Sequence, residues 1–129
     1  MNLSNKLSIM IVFSTIQYIS DIYQYPCNCY FGNITLYLHH ILSGYIYFGW
    51  LLNPLYHGIF LVTMLIHWKL NNNMCIITQL TNKICYPNIQ EYKYFNDFIN
   101  QLQLHELINY IGYYIIYILL LMDLYLYIC

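Results

Sequence analysis

Residues 67–85 read HWKLNNNMCIITQLTNKIC, and this stretch decides how the rest of the chain is interpreted. An apolar run ends there in Trp68-Lys69, three asparagines follow, and Cys75 and Cys85 stand in the polar segment beyond them. Tryptophan and lysine side chains are both well placed at the boundary between lipid and water. Asparagine amides can bond the last carbonyl groups of a helix, and asparagine tolerates the left-handed turn that reverses a chain. The stretch therefore predicts that a helix leaves a membrane at Trp68 and continues as a polar loop.

The composition favours the same environment. Of the 129 residues, 60% are hydrophobic and 7% are charged, whereas a soluble domain has roughly 25% charged residues. So few charges would leave a soluble fold with large apolar patches, which monomeric proteins avoid and which lipid tails cover. The chain has four lysines and no arginine. Because nucleic-acid binding needs a field of positive side chains on the phosphates, this class of partner is excluded.

Four apolar segments predict an all-α integral membrane protein with about four transmembrane helices, in a single membrane domain over 1–129. A transmembrane helix needs about 20 mostly apolar residues. The segments lie near 7–19, 34–52, 55–70 and 107–128. The first also has the length of a signal-peptide core, but no small-residue cleavage site follows it, so an uncleaved anchor is expected.

The dipeptide Asn53-Pro54 separates the second and third segments. Proline disfavours helix in the residue before it and suits the first turn of a new helix. A tight, antiparallel helical hairpin is therefore expected over 34–70. Ser43 and Gly44 are small residues in the first arm of that hairpin, and they are expected to let a neighbouring helix approach closely.

The one long polar region, 71–106, is predicted to form an amphipathic cap. Two of its stretches place apolar residues at helical spacing. They are Ile76, Ile77, Leu80 and Ile84 in the first stretch, and Tyr94, Phe95, Phe98, Ile99 and Leu102 in the second. The cap is expected either to lie along the membrane surface or to pack on the ends of the helices.

With four spans, the loops at 20–33 and 71–106 lie on the same side of the membrane, whichever way the protein is oriented. Most of the cysteine and histidine side chains fall on that side. They are Cys27, Cys29, Cys75 and Cys85 in the loops, and His39, His40 and His67 at the adjoining ends of the spans. His57 is expected at the opposite end. Asp123, near the end of the last span, is expected to reach the interface with its carboxylate.

Disulfide bonds are the first hypothesis for this cluster. The candidates are Cys27, Cys29, Cys75 and Cys85. Four thiols on one side allow three pairings, and spacing does not choose between them. At least one bond that involves Cys75 or Cys85 is expected, within or between the two loops, in an oxidising compartment.

Two further hypotheses use the histidines. A metal site would combine Cys27 and Cys29 with His39, His40 or His67, although C-x-C is not the spacing of structural zinc fingers. The other hypothesis is a haem held by His40 and His67, although the chain has no C-x-x-C-H attachment motif. The leading expectation includes neither a metal nor any other cofactor.

No motif for catalysis is present. The chain lacks a nucleophile elbow, a phosphate-binding loop, an H-E-x-x-H motif and paired carboxylates, so no enzymatic activity is expected. The leading expectation is a multi-pass membrane protein with a structural or interaction role. Its partners would be the lipid bilayer and other membrane proteins or further copies of itself. The alternative is a metal- or haem-binding redox membrane protein.

The motifs YLHHILSGYIYFG, NPLYHG and LIHWKLNNNMCIITQLTNKIC cover about half of the chain. Together they resemble a group of small multi-pass membrane proteins of unknown function that are encoded by giant (nucleocytoplasmic large) DNA viruses. The matching residues are His39, His40, Asn53, Pro54, His57, His67, Trp68, Asn72, Asn73, Cys75, Thr78 and Cys85. The resemblance implies a host or virion membrane as the location and implies no particular activity. The bias toward Ile, Tyr and Asn, typical of an AT-rich genome, agrees with it.

Overall fold

The computed structural model describes residues 2–24, 26–72, 74–85 and 108–128, and their regular structure is entirely helical. The helices are α1 (Leu3–Gln24), α2 (Tyr30–Phe48), α3 (Pro54–Leu70), α4 (Ile76–Cys85) and α5 (Ile108–Ile128), with a short 3₁₀ helix at Gly49–Leu51 after α2. The all-α prediction is confirmed. The predicted second stripe of the cap, from Tyr94 to Leu102, lies outside the described residues.

Each of the four predicted spans coincides with a helix. In the part of the chain that the structure describes, however, no helix combines the length and the hydropathy that a membrane crossing needs. The transmembrane assignment of these segments therefore stays a prediction.

Asparagines begin two of the helices. The side chain of Asn2 accepts a hydrogen bond from the Asn5 amide at 2.9 Å, so α1 starts four residues before the predicted segment at Leu7. The side chain of Asn53 accepts from the Tyr56 amide at 3.2 Å, and Pro54 is the first residue of α3. These caps satisfy backbone N–H groups that have no partner inside the helix.

The turn after α3 is built by two asparagines in different ways. Asn72 has a φ of 53°, which confirms the predicted left-handed turn. The sequence suggested that the Asn71 side chain bonds the last carbonyl groups of α3, and the structure shows other partners for it. Its amide nitrogen donates instead to the Met74 carbonyl at 2.8 Å and to the Gln79 side chain at 3.2 Å, so it ties the turn to α4.

The helices pack in pairs that differ from the predicted hairpin. Helix α2 lies between α1 and α4, whereas α3 packs mainly on α5, and α2 meets α3 chiefly around the turn at 49–53. The expected tight packing over 34–70 is therefore wrong, although the turn itself is correct. The physical reason is that the buried imidazoles of α2 and α3 pair with carboxylates on other helices, His40 with Asp21 of α1 and His57 with Asp123 of α5.

Polar side chains fill much of the interior. Among the side chains that the structure describes, eleven polar or charged ones are buried and only four apolar ones. The four are Cys27, Leu36, Leu61 and Ile116. A water-soluble core has the opposite composition.

Gly44 allows the close approach of α1 to α2, as its small size predicted. A Cβ atom at this position would collide with the Ser14 hydroxyl and press on Met10. Gly58 on α3 differs, because a Cβ there would be in ordinary contact with Asp123 at 3.7 Å.

We therefore expect opposite effects from alanine at these two glycines. Gly44→Ala should lower the free energy of unfolding by about 1–3 kcal/mol, because the helices must move apart. Gly58→Ala should raise it by up to about 1 kcal/mol, because alanine favours a helix more than glycine does. Denaturation in detergent measures both, and equal effects at the two positions would contradict the close packing of α1 on α2.

Candidate functional site

A disulfide bond joins the two loops that the sequence placed on one side. Cys27, just before α2, is bonded to Cys85 at the end of α4, at a sequence separation of 58. The prediction of a bond between the loops is confirmed for this pair. The two other candidates are free: Cys29 is exposed and Cys75 is half-buried. Gly32 passes directly beside the bond, and a Cβ atom there would collide with both sulfur atoms.

Two buried histidine–aspartate pairs hold helices together, and the sequence did not predict either pair. In the first, His40 Nε2 of α2 lies 2.8 Å from Asp21 Oδ2 of α1. In the second, His57 Nδ1 of α3 lies 2.7 Å from Asp123 Oδ2 of α5. All four side chains are almost inaccessible to solvent. A buried charge of this kind is tolerated only when it is paired and hydrogen-bonded.

The expectation that Asp123 reaches the interface is therefore wrong. Asp123 is 3% exposed and its side chain is turned toward α3, where His57 is fully buried. The imidazole supplies a partner inside the protein, so the carboxylate does not have to reach water.

The second pair holds a defined number of protons. His57 Nε2 lies 3.0 Å from the Ile46 carbonyl oxygen, which can only accept, so Nε2 carries a hydrogen. The bond between Nδ1 and the Asp123 carboxyl needs one more proton between its two atoms. The pair is either imidazolium with carboxylate or imidazole with carboxylic acid. It is electrically neutral in both forms, which suits a buried position.

The first half of α2 packs along α4 through polar side chains. Nδ1 of His39 lies 3.3 Å from the Thr78 hydroxyl. His67, at the end of α3, accepts a hydrogen bond from the Ile76 amide through Nε2 at 3.2 Å. A buried hydrogen bond of 2.9 Å between Thr81 and Thr35 continues the contact of α4 with α2. The sequence placed His39, His67 and Cys75 on one side, and the structure brings all three to the start of α4.

The metal and haem hypotheses receive no support from these positions. Cys27 is used by the disulfide, and His40 by Asp21. His67 Nε2 already accepts a backbone hydrogen bond, so this nitrogen is not available as the second ligand of a haem. In the described ranges, no three His, Cys, Asp or Glu side chains are arranged to hold a metal ion.

One sequence signal could have revealed the buried pairs. Asp21 and Asp123 are rare acidic residues on helices whose neighbouring positions are apolar. An ionisable group in such a setting needs a partner, and histidines at apolar positions are the available choice. Which histidine meets which aspartate depends on how the helices pack, and spacing along the chain does not contain that information.

No protein-family model matches the chain, and the comparisons with curated proteins and with solved structures also returned no match.

Proposed function

We propose that the chain is a helical membrane component with a structural or interaction role, embedded in a lipid bilayer. The observation that carries the proposal is the inverted polarity of the fold. Polar side chains are buried between the helices, while large apolar side chains cover the outside. In water this arrangement would be unfavourable on both counts, because exposed apolar surface and buried polar groups both cost free energy.

Helix α5 illustrates the outer surface. Ile118 and Leu121 are 64% and 68% exposed, and they lie on the side away from the buried Asp123. Tyr114 and Tyr125, also exposed, extend this apolar surface by about one turn of the helix in each direction. Such a continuous surface suits contact with lipid tails, or with the apolar helices of other membrane proteins.

Helix α4 has the same inverted arrangement. In a cap packed on the other helices in water, its apolar residues would face inward. Ile76 and Leu80 are exposed instead, whereas Thr81 and Asn82 are buried against the rest of the protein. An outward apolar stripe is what a helix at a membrane surface requires.

The buried polar groups also affect the hydropathy of each helix. Ser14, Gln17 and Asp21 follow one side of α1 and are buried, whereas Ile16 and Ile19 are exposed. The mean hydropathy over all positions of α1 includes these buried polar residues, which would not meet lipid. The outward side alone is more apolar than that mean, which supports an apolar environment.

The partners in this proposal are lipids, and other membrane proteins or further copies of the chain. Location in a host or virion membrane rests on the resemblance of the His-His, Asn-Pro and His-Trp motifs alone. Excluding nucleic acid as a partner rests on the charge composition. No catalytic activity is part of the proposal.

The proposal predicts the effect of charges on the outer surface of α5. Replacing Ile118 and Leu121 by aspartate should impair membrane integration, because each acidic residue near the middle of a lipid-facing helix costs about 2.5–3.5 kcal/mol. The measurement is the fraction of protein that stays in the membrane pellet after an alkaline carbonate wash. We expect the unchanged protein to remain in the pellet and the double aspartate variant to be depleted from it.

The matched control is the variant Ile118→Leu/Leu121→Ile, which keeps the surface apolar and should behave like the unchanged protein. For a protein whose outer surface meets water, the aspartates would be nearly neutral for stability and would improve solubility. Release of the unchanged protein into the supernatant, together with a well-folded and more soluble aspartate variant, would therefore contradict the membrane proposal.

A further inference from the structure

Helix α4 presents a line of side chains to the surroundings that ends in a positive charge. Ile76, Leu80 and Lys83 follow one another at helical spacing, so they lie on one side of the helix. All three are exposed, whereas Thr81 and Asn82, which point away from this line, are buried. An apolar stripe that finishes in a lysine is typical of a helix at the boundary between acyl chains and headgroups.

The end of α3 adds a second exposed lysine. Lys69 and Leu70 are both exposed, Leu70 by 82%. The Ile76 amide donates a hydrogen bond to His67 Nε2 at 3.2 Å, which fixes the end of α3 to the start of α4. Lys69 is two positions from this contact, and Lys83 lies about two turns along α4 from it. The exposed side chains of this region, here called the α4 surface, are Lys69, Leu70, Ile76, Leu80 and Lys83.

The charge at the α4 surface is positive in the part of the chain that the structure describes. The acidic residues there are Asp21 and Asp123, and each is buried beside a histidine. The one further lysine is Lys6, about four turns from Asp21 at the other end of α1. The remaining charged residues, Glu91, Lys93, Asp97 and Glu106, lie outside the described residues, so a test of this surface must use the full chain.

An interaction inside each helix explains part of this pattern but not all of it. Lys69 and Lys83 both occupy the last turn of a helix, where the helix dipole favours a cation. That interaction stabilises the helix in any lipid. It gives no reason for Ile76 and Leu80 to be exposed beside the lysines, whereas contact with a charged bilayer surface accounts for both features.

We propose that the α4 surface binds phospholipid headgroups that carry a net negative charge. Lys69 and Lys83 bind the headgroup phosphates, while Ile76 and Leu80 lie among the first methylene groups of the acyl chains. Zwitterionic phospholipids also carry a phosphate, but the cationic part of their headgroup cancels its charge, so the lysines favour anionic lipids. The proposal rests on the membrane location proposed for the chain and adds the headgroup charge that one end of the protein selects.

Quenching of tryptophan fluorescence by brominated phospholipids measures which lipid lies beside α4. The reporter is the full chain with Leu80→Trp in a Trp50→Phe/Trp68→Phe background, which places the only indole on the α4 surface. The reporter is reconstituted into phosphatidylcholine bilayers that contain either brominated phosphatidylglycerol or brominated phosphatidylcholine in the same proportion. We expect phosphatidylglycerol to bind more strongly beside the indole, and each lysine to contribute up to about fivefold to this preference.

Substitutions of the lysines identify the source of the preference. Lys83→Gln should lower it by up to about fivefold, whereas Lys83→Arg keeps the charge and should retain it. Lys69→Gln should have the same effect as Lys83→Gln, and the double glutamine variant should bind the two lipids equally. Lys6→Gln, at the other end of α1, is the matched control and should leave the preference unchanged. Salt at about 1 M should weaken the preference, because the Debye length falls to about 3 Å.

Two further reporters make each outcome decisive. Ile76→Trp repeats the measurement one turn away on α4, and Leu121→Trp places an indole on the outer surface of α5. Equal binding of the two lipids at both α4 positions would overturn the proposal and leave the membrane location intact, as would quenching on α5 alone. A less stable Lys83→Gln variant with an unchanged lipid preference would also overturn it, because the lysine would then act on its own helix only. Absence of quenching on α4 and on α5 would contradict the membrane location itself.

Discussion

Replacing Asp123 by alanine is expected to lower the free energy of unfolding by about 3–5 kcal/mol, which is the usual cost of removing one partner of a buried ion pair. His57 would stay fully buried with Nε2 bonded to the Ile46 carbonyl, but Nδ1 would have no partner. Equilibrium unfolding in detergent, followed by circular dichroism, measures the loss.

Asparagine at the same position provides the control. Its amide can donate to Nδ1 while Nε2 keeps its hydrogen for Ile46, so Asp123→Asn should cost less than about 1.5 kcal/mol, one ordinary hydrogen bond. The double variant His57→Leu/Asp123→Leu should come close to the stability of the unchanged protein, because apolar replacement of a buried pair is often neutral. If Asp123→Ala and Asp123→Asn lower the free energy of unfolding equally, a hydrogen-bond donor to His57 Nδ1 does not contribute to stability, which would contradict the role given to the shared proton.

Breaking the disulfide is the second large effect that we expect. Cys27 and Cys85 close a segment with a sequence separation of 58. For a loop of this length, the restriction of the unfolded chain stabilises the fold by about 4 kcal/mol. Cys85→Ser, or treatment with a reductant, should lower the free energy of unfolding by about that amount and release α4 from the start of α2.

Cys29→Ser is the matched control, because Cys29 is only two positions from Cys27 and its thiol is free. It should leave both the stability and the disulfide unchanged. Alkylation without reductant should label Cys29 and spare Cys27 and Cys85, as intact mass would show. Full labelling of Cys85 in protein trapped by acid would contradict the bond.

Local signals in the sequence account for the positions of the helices. Asn53 caps α3, Pro54 starts it, and Asn72 makes the left-handed turn after it, because capping, proline geometry and turn conformation involve only neighbouring residues. The apolar segments likewise indicated four of the five described helices, and the spacing from Ile76 to Ile84 indicated α4. The start of α1 was set too late, because the cap that Asn2 supplies precedes the apolar run.

The inner side of the helices was predicted less well. The residues that α4 buries are Thr81 and Asn82 rather than its isoleucines, and α1 buries Asp21 and Gln17 rather than its exposed isoleucines. Apolar spacing identifies a side of a helix but does not show whether that side meets the protein or the surroundings. In water the apolar side is buried, and in the environment proposed for this chain the polar side is buried instead.

The partners of the buried polar groups are decided only by tertiary structure. His40 meets Asp21 across α1 and α2, and His57 meets Asp123 from a position 66 residues away. The sequence contains all four groups, but each pairing depends on which helices lie side by side. The same holds for Thr78 and His39, since the hydroxyl of α4 meets the imidazole of α2 only when these two helices pack against each other.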